Sequence, residues 1–170
     1  MAFVVGGFKA VIAQPNTMAC WATVYSMMVA WKRQQSVDIA RAVEIVGSKY
    51  LTYYQANTGL PPAQFAPFLR AAGMTYQPMT NLPVSDWESL LERYGLLWVG
   101  TLAAAAPNSG LHSRIIEGIV GDGSSAGATF MIIDPAGGRR YNEPFMDFLN
   151  KYEGAIRSAK GEYYQIRHFA

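Results

Sequence analysis

Apolar residues recur at helical spacing through the first half of the chain, and the pattern changes to short runs and alternation in the second. Trp21, Val24, Met28 and Trp31 share one helical face, which predicts a helix from about Trp21 to Gln34 with that face buried. Ser36 is placed to cap a second helix, with Ile39, Ala42, Val43 and Val46 as its apolar stripe and Gly47 at its end. The segment "LPPAQFAPFLRAAG" predicts a short helix entered through prolines and stopped at Gly73, with Pro67 bending or restarting it. In "SDWESLLERYG", Ser85 and Glu88 have the spacing of a capping box. Trp87, Leu90, Leu91 and Tyr94 then share a face, and Gly95 ends the helix.

Beyond Gly95, "LLWVGTLA" reads as a buried strand. "HSRIIEGIV" and "TFMIID" form a hairpin through the Gly- and Ser-rich "GDGSSAGA". "EPFMDFLNKYE" predicts one short surface helix and "EYYQIRHF" a closing strand. Helices first and antiparallel strands second indicate an α+β fold with helices packed to one side of a sheet. No repeat or low-complexity linker divides the chain, so a single domain over residues 1–170 is expected, with a helical half at about 14–95 and a sheet half at about 96–170. The halves are expected to meet along a cleft near residue 95.

Composition narrows the function classes. With 170 residues, half of them hydrophobic, the chain can bury one sizeable core. A net charge of +2 and the lack of a basic run argue against nucleic acid as a partner. The longest apolar run, "GLLWVGTLAAAA", falls well short of the roughly 20 residues needed to cross a bilayer, so no membrane insertion is expected. The first residues lack the pattern of a signal peptide, so a soluble cytoplasmic protein, or a fragment of a larger carrier protein, is expected. One cysteine excludes an internal disulfide, no cysteine pair has metal-ligand spacing, and neither metal nor cofactor is expected.

That cysteine sits in "QPNTMACWAT". Pro15 disfavours helix at Gln14, so the helix must begin between about Asn16 and Cys20. The thiol then lies in or beside a first turn, where unpaired N–H groups and the helix dipole favour a thiolate. The same N–H groups, with the Gln14 amide, could bind the oxyanion formed when a thiolate attacks a carbonyl. A buried core cysteine is the competing reading.

A thiol nucleophile needs a base, and the chain has two histidines. His112 stands where a loop enters a strand, while His168 lies near the C-terminus, where fraying is expected. If the two central strands pair as a hairpin, the start of one lies beside the end of the other, making His112 and Asp134 neighbours. Asn108, Asp122 and Asn142 are rivals for Asp134 without that geometry. Arg114 shares the strand face of His112, which leaves it solvated, touching substrate or paired with an acid such as Glu117.

Gln14, then Cys20-Trp21 opening an apolar helix, then His112 on one strand and Asp134-Pro135 on the next, resemble the papain-like cysteine peptidase superfamily. The order Gln, Cys, His, Asp and the six-residue step from Gln14 to Cys20 carry the resemblance, which covers roughly residues 12 to 135. "QPNTMACWA" especially resembles compact bacterial members. The chain departs from plant and lysosomal relatives in lacking a disulfide-forming cysteine before the nucleophile. It also has Asp in place of Asn, and Ser113-Arg114 after the histidine in place of small apolar residues.

The resemblance implies a papain-like fold with Cys20 as nucleophile, His112 as general base, Asp134 orienting the imidazole and Gln14 in the oxyanion hole. It implies substrate contacts at Trp21, Gly110 and Leu111. The expected function is a cysteine protease acting on a protein or peptide, as a bacterial effector or toxin delivered into a target cell and countered by a cognate immunity or inhibitor protein. Acyl transfer, deamidation and peptidoglycan amide cleavage use the same acyl-thioester chemistry. A protein-binding domain with an incidental triad is the non-enzymatic alternative, for which "YLTYYQ" and its exposed aromatics would matter more than the thiol.

Overall fold

Helix α1 (Cys20–Arg33) begins at the cysteine, and its residues from Trp21 to Ala30 are all buried. A single buried face was expected, but α1 runs through the interior and is covered all round. Thr23 and Ser26 tolerate this because their hydroxyls donate to the Ala19 and Ala22 carbonyls one turn back, at 2.9 and 2.8 Å. The helix stops where Gln34 turns left-handed at φ 55°, behind Lys32 and Arg33, whose charges suit a helix C-terminus. The computed structural model describes residues 1–159 and 163–170.

Several boundaries differ from those expected. Helix α2 (Ile39–Val46) is capped by Asp38, which accepts from the Arg41 N–H at 2.9 Å, and not by Ser36. Gly47 does not stop the chain: at φ 164° it is extended, and α3 (Ser48–Ala56) follows at once with Tyr50 buried. "YLTYYQ" is therefore helical, a helix its mixed polar and aromatic composition did not announce. Helix α4 (Pro62–Ala71) passes through Pro67 without a break. The bond Pro67 forgoes would reach back to Ala63 in the first turn, an exposed residue whose carbonyl water can satisfy. Helix α5 (Val84–Tyr94) starts after Pro83, which puts Ser85 inside the first turn, and the expected capping box with Glu88 does not form.

Strands β3 (Leu97–Leu102), β4 (Leu111–Val120) and β5 (Thr129–Asp134) occupy the expected apolar runs, while the expected closing strand is only β7 (Ile166–Phe169), and Glu162 at its expected start lies outside the described residues. Short strands β1 (Ala2–Val4) and β2 (Met74–Tyr76), with β6 (Arg139–Pro144), complete an antiparallel sheet in the order β2-β7-β3-β4-β5-β6, with β1 also on β4. Strand β6 was not expected because "RRYNEP" shows no apolar alternation.

The helix expected at the surface near residue 145 is longer: α6 (Phe145–Ser158) buries Phe145, Phe148, Tyr152 and Ala155. Phe148 meets Phe130 of β5 at 4.8 Å and Trp87 of α5 at 5.4 Å between ring centres, both edge to face. The core joins α1, α5, α6 and the central strands in one cluster. Gly95 packs so closely under Trp31 that a β-carbon there would lie 2.2 Å from the indole, and the cleft beside Cys20 is lined by other residues. No helix among the described residues is long and apolar enough to cross a membrane.

Candidate active site

The segment before α1 is tied to the turn that follows β5. The Gln14 N–H donates to the Pro135 carbonyl at 2.8 Å, and the Gly138 N–H shares that acceptor at 3.2 Å. Gly138, at φ +59°, lets the turn approach: a β-carbon there would stand 2.7 Å from the Ala13 nitrogen. The loop leading to Cys20 is thus fixed against the residues just after Asp134. The α1 N-cap is Ala19 without a side-chain cap, so its first-turn N–H groups remain open beside the thiol.

Strands β4 and β5 pair antiparallel, with Ile115 opposite Ile133. One step further along, Arg114 stands across from Asp134, and His112 is its diagonal neighbour on the same face. His112 Nε2 contacts Asp134 Oδ1 at 2.7 Å. The Asp134 carboxylate also accepts from the Ala136 N–H at 2.8 Å and from the Tyr141 hydroxyl at 2.9 Å. Arg114 Nη1 in turn donates to the Tyr141 oxygen at 2.9 Å and to Glu143 at 2.8 Å, while its Nε donates to Thr101 at 3.2 Å. Arg114 is therefore neither solvated nor paired with Glu117; Glu117 holds Lys9 and Arg140. The bond from Tyr141 to Asp134 is one the sequence reading missed, because Tyr141 lies on the unrecognised β6. The only signal for it was an aromatic hydroxyl shortly after Asp134.

Cys20 and His112 meet. Burial pushes the Cys20 thiol up, but the hydrogen bond and charge of His112, with bonds from the Ser113 backbone and hydroxyl, outweigh it and bring the thiol below its ordinary value. Ser113 is itself held by the Trp98 indole N–H at 2.9 Å. For His112, burial opposes the charge, yet Asp134 and Cys20 together push it up to about 9. Burial likewise raises Asp134, and its bonds to His112, Ala136 and Tyr141 overcome this and lower it. Nε2 is engaged with Asp134, which leaves Nδ1 towards the thiol, and the lowered thiol and raised imidazole both favour the thiolate–imidazolium pair.

These directions set a pH dependence. The pair is lost on the acid side as Cys20 protonates and on the alkaline side as His112 loses its proton near 9. The raised His112 value also links to folding: its stabilisation is complete below the ordinary 6.5 and disappears as pH rises through about 9. Asp134→Asn keeps an acceptor for His112 but removes the charge. The alkaline limb of kcat/KM is therefore expected to move down by about one pH unit or more, read from a pH–rate profile.

A cleft of about 570 Å³ opens over this pair, with Cys20, Trp21, Gly110, Leu111, His112 and Ser113 among its walls. Met18 and Leu111, both exposed large apolar side chains, border it. The cleft thus runs between the start of α1, the segment leading into α4 and the loop joining β3 to β4.

Gln14 is not brought into it. Its amide nitrogen donates to the Asn16 and Thr17 carbonyls at 2.9 and 3.1 Å, closing the turn before α1. The rivals lie elsewhere: Asp122 holds Ser124 at the hairpin tip, and Asn108 and Asn142 are exposed. His168 is not frayed but buried, paired through β7 with β2, stacked on Tyr94 at 3.7 Å and in contact with Gln77 at 2.7 Å. Among the described residues no group of three His, Cys, Asp or Glu side chains could hold a metal ion.

Residues 8–153 match the family model described as papain-like cysteine protease AvrRpt2. The match reaches beyond the resemblance read from residues 12 to 135 and takes in β6 and most of α6. No curated protein matches the chain.

Proposed function

The chain belongs to the papain-like cysteine protease family of AvrRpt2, and on that premise we propose that it hydrolyses peptide bonds through Cys20, His112 and Asp134. The observation that carries this reading is the hydrogen-bonded line from Tyr141 through Asp134 and His112 to a thiol at a helix start. The Cys20 thiolate attacks the carbonyl carbon, and the carbonyl oxygen becomes an oxyanion within reach of the first-turn N–H groups of α1. The His112 imidazolium gives its proton to the departing amine as the C–N bond breaks, leaving a thioester. Neutral His112 then takes a proton from water, whose oxygen attacks the acyl carbon; the carboxylic acid leaves and the thiolate returns. Asp134 stays ionised throughout and holds the ring.

Gln14 is the second oxyanion donor in this proposal, its amide turning from the longer of its two carbonyl bonds. Gln14→Ala is then expected to lower kcat by about 10²- to 10³-fold with little change in KM. An unchanged kcat would confine Gln14 to closing the turn.

A protein of a target cell as substrate, and a cognate inhibitor protecting the producer, extend the proposal to a bacterial effector or toxin. That extension rests on the resemblance to compact bacterial members. The deciding experiment identifies new protein termini in a target-cell lysate exposed to the wild-type protein or to Cys20→Ala. New termini confined to the wild type, sharing a local sequence, are expected. Modified side chains without new termini would instead indicate acyl transfer or deamidation at the same thiol.

A further inference from the structure

Strand β7 carries Arg167 into the interior beside the cleft. The residue is 1% exposed; among the described residues its Nε and Nη1 atoms are buried without a hydrogen-bond partner, while the Tyr163 hydroxyl bonds the guanidinium. Among the described residues no carboxylate forms an ion pair with it. Aromatic rings surround it, and the Cys20 thiolate acts on it through space: the guanidinium carbon lies 4.3 Å from the Phe65 ring centre, 4.8 Å from that of Trp98 and 5.4 Å from that of Tyr163. The contrast with Arg114, equally buried but bound to Glu143, is direct. A desolvated cation with open donors is costly to keep, and an incoming anion offsets that cost.

A cavity of about 460 Å³ gives such an anion room. Arg167 lines it together with Pro62, Ala63, Phe65, Ala66 and Tyr163. Pro62, Phe65 and Tyr163 also line the cleft over Cys20, so the two spaces adjoin. Pro62 and Ala63 form the first turn of the ten-residue α4, whose positive end therefore borders the same cavity.

The geometry points to a carboxylate subsite: Arg167 and the start of α4 receive an acidic side chain, Glu or Asp, of the peptide whose scissile bond lies at Cys20. Apolar walls take the aliphatic stem, while the guanidinium and the helix end take the charge. This inverts the logic of a buried aspartate selecting a basic side chain in a protease pocket. The assignment rests on reading the cleft as a peptide cleft.

The test uses two pools of short peptides, identical except for Glu in one and Gln in the other, as protectants of Cys20 against iodoacetamide. No turnover is needed. The Glu pool should protect at about tenfold lower concentration, equivalent to about 1.4 kcal/mol. That advantage should vanish in Arg167→Met, and also in Ala63→Glu, which sets a competing carboxylate on the exposed turn of α4 and leaves the buried arginine intact. In a peptide-library digest, Asp and Glu should be enriched at one fixed position for the wild type and not for the variants. Equal protection by the two pools, or a Glu advantage that survives in Ala63→Glu, overturns the subsite. A Glu advantage without cleavage of any library peptide would keep the subsite and count against peptide-bond hydrolysis.

Discussion

Cys20→Ala is expected to lower kcat/KM on the order of 10⁶-fold, the scale seen when the nucleophile of a hydrolase with a comparable triad is removed. That factor corresponds to about 8 kcal/mol of transition-state stabilisation. The fold should survive. Cys20 is half-buried at the first residue of α1, and its neighbours from Trp21 to Ala30 supply the packing that anchors the helix. Alanine also suits a helix interior. Urea unfolding should therefore change little while turnover disappears. Turnover that persists in the folded variant would remove Cys20 from the mechanism.

His112→Gln is expected to have the second-largest effect, and alkylation reads it without any substrate. With His112 in place, its bond and charge overcome burial and hold the Cys20 thiol low. Burial remains when the imidazole is gone, so the midpoint of the iodoacetamide rate profile should cross to the other side of the free-thiol value of about 8.5. Glutamine can still donate to Asp134 Oδ1, which limits damage to the buried network. Peptidase activity should fall by about 10⁴-fold or more. A midpoint that stays low would assign the thiolate's stability to the α1 start and Ser113 instead.

The parts of this site that were legible in the sequence depend on neighbours along the chain. Pro15 restricts where a helix can begin, and α1 does begin at Cys20. Two apolar strand runs flanking a Gly- and Ser-rich tip specify a hairpin, and a hairpin sets which ends lie together; His112 and Asp134 follow from that. The helical-then-sheet order, with the family match, gave the α+β papain-like architecture.

Other features have no local cause. Strand β6 alternates no apolar residues, and it forms because β5 offers it an edge; only then does Tyr141 arrive at Asp134. Gln14 has the right spacing for an oxyanion donor, yet its amide finds the Asn16 and Thr17 carbonyls, a choice between acceptors that spacing does not make. Arg114 and Arg167 read alike as basic strand residues. Packing gives one a carboxylate and leaves the other caged by rings at the edge of the cleft. The sequence by itself determined the helix start, the hairpin and the chemical types along them, because torsional restriction and apolar period act over a few residues. Which buried polar group finds which partner was decided only by the tertiary structure, because desolvated charges and donors pair across elements distant in the chain.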